Sequence, residues 1–393
     1  MEPYPLLAFA AGLGLLALGA MLLVGAASRI AAGWGISPLV VGLTVVAWGT
    51  SAPEFAVSVL AAAAGNADIA LANVIGSNLF NVLFVLGACA AISPLLVEVR
   101  LVRREAPLLF LLSAAFWLLA LDGRISRLEG AALAAGMTLY TAWTIRLARR
   151  EVGEGDRGEA AVPPPSPVRP SLSRLGFLLL QGAAGVFLLA AGARTLVSAA
   201  TAIARGLGVS DAVIGLTLVA AGTSLPEAFT SLAALLRGER SIAVGNALGS
   251  NLFNLLGIAG PAALVSPQGL SVSGALLSFD LPLMVSAAAA CLPVFFTGFR
   301  IARWEGVLFL ATYGAYLAFA MLDAAGHDAL PPFSGALLAF ALPLIATTGA
   351  GITRRWLARK ETDPPPPAPP ESVCRQGDGR GEMINSGEGG PRV

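Results

Sequence analysis

Apolar runs broken by short polar stretches repeat along most of the chain, and each run is close to the roughly 20 residues that an α-helix needs to cross a bilayer. Hydropathy and charged breaks predict eleven membrane helices, over 6–27, 36–64, 69–95, 106–121, 128–147, 174–204, 210–236, 242–265, 276–297, 304–322 and 334–352. The run at 6–27 is preceded by no Lys or Arg and is long for the apolar region of a signal peptide, so it reads as the first membrane helix. Two stretches break the pattern. Residues 148–173 are polar and Pro-rich and read as a flexible linker, and 361–393, rich in Pro and Gly, cannot support a core and read as disordered.

Composition agrees with this pattern. The 393 residues are 56% hydrophobic and 12% charged, with mean hydropathy +0.76, whereas a soluble domain carries about a quarter charged residues. The chain is expected to be an all-α polytopic membrane protein. Cys89, Cys291 and Cys374 are scattered without metal or disulfide spacing, and the single histidine, His327, lies in a connecting loop.

Basic residues set the orientation. With the N-terminus outside, eighteen Lys and Arg fall on the inner side, among them Arg103, Arg149 and Arg355, against three on the outer side, Arg124, Arg127 and Arg205. The positive-inside rule therefore places the linker and the tail in the cytosol.

An internal repeat organises the whole. Shifted by 173 residues, 42–94 aligns with 215–267 without a gap, and 27 of 53 positions are identical. A weaker echo aligns "REAP" at 104–107 with "FDLP" at 279–282, and "RLEG" at 127–130 with "RWEG" at 303–306. Each unit holds five helices, an odd number, so the second enters the membrane from the opposite side. The expected fold is two inverted five-helix repeats, ten core helices in all, plus an eleventh helix. Such architecture belongs to secondary transporters, with the substrate site near the midplane. The expected divisions are 1–147, first repeat; 148–173, linker; 174–322, second repeat; 323–360, additional helix; and 361–393, tail.

Inside the repeat lies the chemistry. "GTSAPE" (49–54) and "GTSLPE" (222–227) each place a proline and a carboxylate within an apolar run, and "GSNLFN" follows in both copies. Thr50 and Glu54 share a helix face, as do Asn73, Ser77 and Asn81, and the second copy repeats this with Thr223, Glu227, Asn246, Ser250 and Asn254. Pro53 and Pro226 lack an amide hydrogen and crowd the carbonyls of Gly49 and Gly222, which is expected to loosen the helix and free backbone oxygens. Broken backbone at membrane depth is tolerated only where it lines a protein-enclosed cavity.

Every ligand type on offer is oxygen, the set preferred by hard cations and not by transition metals. A mid-membrane glutamate is costly and reads as functional. Ser58 and Ser231 read as packing or hydrogen-bonding residues, and the glycines of "GSN", Gly76 and Gly249, as candidate close-contact points. Glu105, Asp280, Glu129 and Glu305 lie near predicted helix ends, where solvation or salt bridging is expected.

These two inverted motifs resemble the cation/Ca2+ antiporter superfamily, and within it the Na+/Ca2+ exchanger-like branch. The resemblance implies that Glu54 and Glu227 are the central Ca2+ ligands, assisted by the carbonyls of Thr50 and Thr223. It implies one flanking Na+ site built by Ser51, Ser77 and the carbonyl of Ala47, and its mirror built by Ser224, Ser250 and the carbonyl of Ala220. Asn81 and Asn254 would close the middle. Asn254 stands where K+-dependent members carry Asp, which argues against K+ co-transport, and the short linker leaves no room for the Ca2+-sensing modules of animal exchangers.

The resulting expectation is a Na+/Ca2+ antiporter in a prokaryotic cytoplasmic membrane. Ca2+ and Na+ are its cargo, the bilayer its solvent, and neither a cofactor nor a nucleic-acid partner is expected. One copy is expected to suffice for transport, with oligomeric state open. The same fold coupled to H+ is the alternative, and a passive cation channel ranks below it. An intramembrane enzyme is set aside, because no base accompanies the repeated serines.

Overall fold

The computed structural model describes residues 3–34, 36–99, 101–154, 171–207, 220–296 and 299–324. The predicted eleventh helix at 334–352, the tail and the first part of the predicted helix 210–236 lie outside these.

The first repeat runs α1 (Pro3–Trp34), α2 (Pro38–Thr50), α3 (Ala52–Ala63), α4 (Ala67–Ile92), β1 (Leu95–Leu96), α5 (Ala106–Leu119), β2 (Arg124–Ile125) and α6 (Arg127–Glu154). The second runs α7 (Leu172–Gly206), α8 (Ala220–Gly222), α9 (Leu225–Leu236), α10 (Arg240–Val265), β3 (Leu270–Ser271), α11 (Leu281–Phe296), β4 (Arg300–Ile301) and α12 (Arg303–Ala324). Six helices among the described residues are long and apolar enough to cross a membrane, and α2 with α3 make a seventh span bent by 50°. The chain is an integral membrane protein. Helix α6 continues to Glu154, past the residue where the linker is expected to begin.

Burial separates the helices into an inner and an outer set. The apolar windows of α4 and α10 are 72% and 83% buried, against 33% and 22% for α1 and α7. Helices α1 and α7 pair along their length, and glycines let the backbones meet. A Cβ on Gly19 would stand 2.8 Å from the Gly185 carbonyl oxygen, and one on Gly185 would stand 2.8 Å from that of Gly19. Membrane helices use small residues in this way because lipid supplies no hydrophobic force between them. Gly249 performs the close-contact role read from sequence: its Cβ would meet Leu43 Cα at 2.8 Å, so α2 of one repeat lies hard against α10 of the other. The corresponding neighbours of Gly76, at 216 and 220, fall where no side chain is described.

The repeat is written into the backbone as well. Helices α3 and α9 both end in a glycine of positive φ, Gly65 at 84° and Gly238 at 80°. Asn66 N then reaches Ala61 O at 2.9 Å and Glu239 N reaches Ala234 O at 2.9 Å, the Schellman closure in both copies. Outside the helical core, β1 pairs antiparallel with β4 and β2 with β3, each a short link from one repeat to the other.

The four acids expected at solvated ends have more specific settings. Glu129 and Ser126 form a capping box at the start of α6, with Ser126 N donating to Glu129 Oε2 at 2.7 Å and Glu129 N to Ser126 Oγ at 3.3 Å. Glu305 Oε2 accepts from Ala302 N at 2.7 Å at the start of α12. Glu105 is fully buried and accepts from the Tyr140 hydroxyl at 2.9 Å, and its counterpart Asp280 accepts from Tyr316 at 2.9 Å.

Candidate functional site

The two motif segments fold as broken helices. Ser51, at φ −82° and ψ 9°, separates α2 from α3, and Ser224, at φ −91° and ψ 4°, separates α8 from α9. Pro53 and Pro226 therefore lie in the first turn of the following half-helix, where a missing amide hydrogen costs nothing. Sequence alone has these prolines loosening a continuous helix. The break falls at the serine, two residues before the proline and two after the glycine where it is expected.

That location redirects the serine hydroxyls. An N-cap serine ordinarily accepts from an amide in the first turn, yet neither Ser51 nor Ser224 makes a side-chain cap bond. Ser51 Oγ donates to Glu227 Oε1 at 2.7 Å, and Ser224 Oγ donates to Glu54 Oε1 at 2.9 Å. Each glutamate sits in the first turn of its own half-helix, where the helix dipole favours a negative charge. Both are buried, at 1% and 0% exposure.

The remaining serines group differently from the expected arrangement. Ser51 Oγ stands 3.1 Å from Ser250 Oγ, and Ser224 Oγ stands 2.9 Å from Ser77 Oγ. Each pair joins a motif serine of one repeat to a "GSN" serine of the other, so the expected groupings of Ser51 with Ser77 and Ser224 with Ser250 are exchanged. The cause is interlock: α2 packs on α10, and α8 packs on α4. The carbonyl of Ala47 accepts from Ser51 N at 3.0 Å and lies 3.3 Å from Thr50 Oγ1, so it is engaged within its own helix. Ala220 is the first residue of α8.

A second layer holds the first. Thr50 Oγ1 lies 3.2 Å from Asn246 Oδ1, while Asn246 Nδ2 donates to Ser231 Oγ at 2.9 Å and to the Glu227 carbonyl at 3.3 Å. The mirror set is complete: Thr223 Oγ1 to Asn73 Oδ1 at 3.1 Å, then Asn73 Nδ2 to Ser58 Oγ at 2.9 Å and to the Glu54 carbonyl at 3.4 Å. Thr223 thus reaches the opposite repeat through its hydroxyl, and Thr50 shares its one hydroxyl proton between Asn246 and the Val46 and Ala47 carbonyls of its own helix, in addition to any part their carbonyls play.

Asn81 and Asn254 each lie in a π-helical turn, Phe80–Leu86 in α4 and Phe253–Ile258 in α10. Such turns often mark functional sites, because the extra residue redirects side chains and loosens the carbonyl ladder. Phe80–Leu86 packs against α9, which carries Glu227, and Phe253–Ile258 packs against α3, which carries Glu54.

Buried acceptor oxygens here without a hydrogen-bond partner among the described residues include Glu54 Oε2, Glu227 Oε2, Asn81 Oδ1, Asn254 Oδ1 and Asn251 Oδ1. A buried acceptor left unsatisfied costs ~1–3 kcal/mol, and two of these belong to carboxylates. A cation meets that requirement, and a hard one suits an all-oxygen set. Asn78 and Asn251, part of the identical "GSN" in both copies, are absent from the site expected from sequence, although the repeat itself marks them. Asn254 Nδ2 donates to Asn78 Oδ1 at 3.1 Å, and Asn251 Nδ2 donates to the Asn78 carbonyl at 3.3 Å.

Known proteins resemble this chain in sequence and in fold. The sequence pattern of the family described as sodium/calcium exchanger protein matches residues 4–146 and 177–322, the two repeats without the linker. The chain is 35% identical to the inner membrane protein YrbG of Escherichia coli over 285 residues, 72% of this chain and 86% of that protein. It is 31% identical to the sodium/calcium exchanger MaX1 of Methanosarcina acetivorans over 338 residues, 78% of this chain and 95% of that protein. Among solved structures, the sodium-calcium exchanger NCX_Mj superposes with a TM-score of 0.68 at 31% identity, covering 81% of this chain and 99% of that one. Two inverted repeats joined through a buried, oxygen-lined centre, matched over nearly their full length, place this chain in the sodium/calcium exchanger family of membrane proteins.

Proposed function

We propose that this protein is a secondary antiporter that exchanges Na+ for Ca2+ by alternating access. The observation that supports it most is a set of four buried, unpartnered oxygens, two from each repeat, on Glu54, Glu227, Asn81 and Asn254. Two carboxylates balance one divalent ion or two monovalent ones, so Ca2+ and Na+ at overlapping sites compete for the same two negative charges without further machinery. In this reading Ca2+ takes the free carboxylate oxygens. Na+ takes the flanking serine clusters, Ser51 with Ser250 and Ser77 with Ser224, whose hydroxyls also hold the opposite carboxylates in place. Thr50, Thr223 and the carbonyls of Ala47 and Ala220 border these clusters. The cargo ions are the only small molecules the mechanism uses.

The reading sets the protein in a prokaryotic inner membrane, with the N-terminus outside and residues 148–173 and the tail in the cytosol. The basis is the distribution of Lys and Arg and the likeness to YrbG, which is named an inner membrane protein.

Coupling to H+ is the second reading, favoured by the same two buried carboxyl groups, which are also places a proton can bind. Purified protein in vesicles separates the two. Ca2+ uptake driven by an outward Na+ gradient at equal pH supports Na+ coupling. Uptake driven by a pH gradient in Na+-free buffer, and indifferent to Na+, would transfer the assignment to H+. Single-channel currents far above carrier turnover would overturn both.

A further inference from the structure

The two repeats are not equivalent around their "GSN" asparagines. Asn78 Nδ2 lies 3.4 Å from Met284 Sδ, Asn78 Oδ1 accepts from Asn254 Nδ2 at 3.1 Å, and both asparagines are buried, at 2% and 1% exposure. The mirror relay is absent among the described residues, since Asn251 Oδ1 has no partner. Sequence supplies the reason. With Pro107 aligned to Pro282, the residue matching Met284 is Leu109, a buried hydrocarbon that accepts no hydrogen bond. Asn251 turns its amide nitrogen to the Asn78 carbonyl instead.

This asymmetry fixes which way two amides face. An asparagine presents an oxygen on one arm and a nitrogen on the other. Were Asn254 turned over, two acceptor oxygens would face each other at the Asn78 contact. Were both turned over, Asn78 would set its oxygen against the thioether and lose a donor contact there. The sulfur is a weak acceptor, but in a buried relay it decides between two arrangements of otherwise equal count. We propose that Asn78, oriented by Met284, is a positioning residue that holds the Asn254 amide with its oxygen free for the transported cation and its NH2 group turned away. The proposal rests on the functional reading above, in which Asn254 Oδ1 is a cation ligand.

The experiment is a double-mutant cycle read by Ca2+ titration of the purified full-length protein, with Asn78→Leu made in the native background and in Asn254→Asp. Partners behind a metal ligand typically change affinity about 10- to 100-fold, so Asn78→Leu is expected to weaken Ca2+ binding about tenfold. An aspartate carries oxygen on both arms, so one oxygen faces the cation whether Asn78 turns over to donate to the other or is replaced. In the Asn254→Asp background the same change is therefore expected to cost less than about twofold, within the additivity of uncoupled sites. A merely structural role for Asn78 would cost the same in both backgrounds, and that result overturns the proposal while leaving Ca2+ binding intact. Should Asn78→Leu not fold, Met284→Leu in the same two backgrounds decides, with a smaller loss that again disappears in the Asn254→Asp background. Absence of Ca2+ binding by the native protein would overturn the functional reading and this inference together.

Discussion

Ser51 of the first repeat donates to Glu227 of the second at 2.7 Å, and Ser224 of the second returns the bond to Glu54 of the first at 2.9 Å. The shortest hydrogen bond to each carboxylate therefore crosses between the repeats, while Ser250 of the second repeat also reaches Glu227 Oε1 at 3.5 Å. The serine that breaks one helix orients the charge at the start of the other, which ties the backbone break directly to the electrostatics of the site. Because proline occupies the first turn after each serine, the hydroxyl has lost one of its ordinary capping partners and is available for this use.

The crossing makes a specific energetic prediction. Residues that share a hydrogen bond show coupling of ~0.5–3 kcal/mol in double-mutant cycles. Thermal unfolding of Ser51→Ala, Glu227→Gln and the double variant is expected to give coupling in that range. Ser51→Ala with Glu54→Gln is expected to give a markedly smaller value, since the bond from Ser51 goes to the other glutamate. The reverse order would mean that the serines serve their own repeat.

Asn246 supports the site from behind, accepting from Thr50 and donating to Ser231 and the Glu227 carbonyl. Asn246→Ala removes these contacts in a fully buried place. Leaving such groups unpaired costs ~1–3 kcal/mol or more, so a clearly lower melting temperature is expected. An unchanged melt would show that this layer does not hold the half-helix.

The contact of α1 with α7 is tested by position. Gly19→Leu drives a side chain into the Gly185 carbonyl, and overpacking of this kind costs typically ~1–3 kcal/mol and occasionally more. Gly14, on the exposed side of the same helix with no heavy atom within 4 Å, is the control. Gly14→Leu is expected to leave a monodisperse protein of native melting temperature, and Gly19→Leu is expected to lower both yield and melt. Equal behaviour of the two would contradict the packing.

Much of this is legible in the sequence, and the limits have physical causes. The repeat, the odd helix count and the oxygen-only chemistry of "GTSxPE" with "GSNLFN" follow from pattern alone. Face arguments work within one helix, so they align Thr50 with Glu54 and Ser77 with Asn81. They carry no information on which helix faces which; the grouping of Ser51 with Ser77 follows from the family resemblance, and the serine beside Ser51 is Ser250. Proline rules for a helix interior locate the break near Gly49, but the chain treats Pro53 as a first-turn residue and breaks at Ser51. Asn78 lies one residue beyond Ser77, off the polar stripe, and its partner Met284 belongs to a helix without any motif. Glu105 resembles a residue at a solvated end until α6 brings Tyr140 against it, 35 positions along the chain.

The central claim is that Glu54 and Glu227 form one cation centre that couples Ca2+ to Na+. Ca2+ uptake into Na+-loaded vesicles containing the purified protein tests it most directly, with native protein, Glu54→Gln and Glu227→Gln compared at matched insertion. The account predicts uptake that collapses when the Na+ gradient is removed and falls by more than about 100-fold in either variant, as loss of a buried charge at an ion site implies. Uptake that persists without the gradient, or in Glu54→Gln at near-native rate, would contradict it.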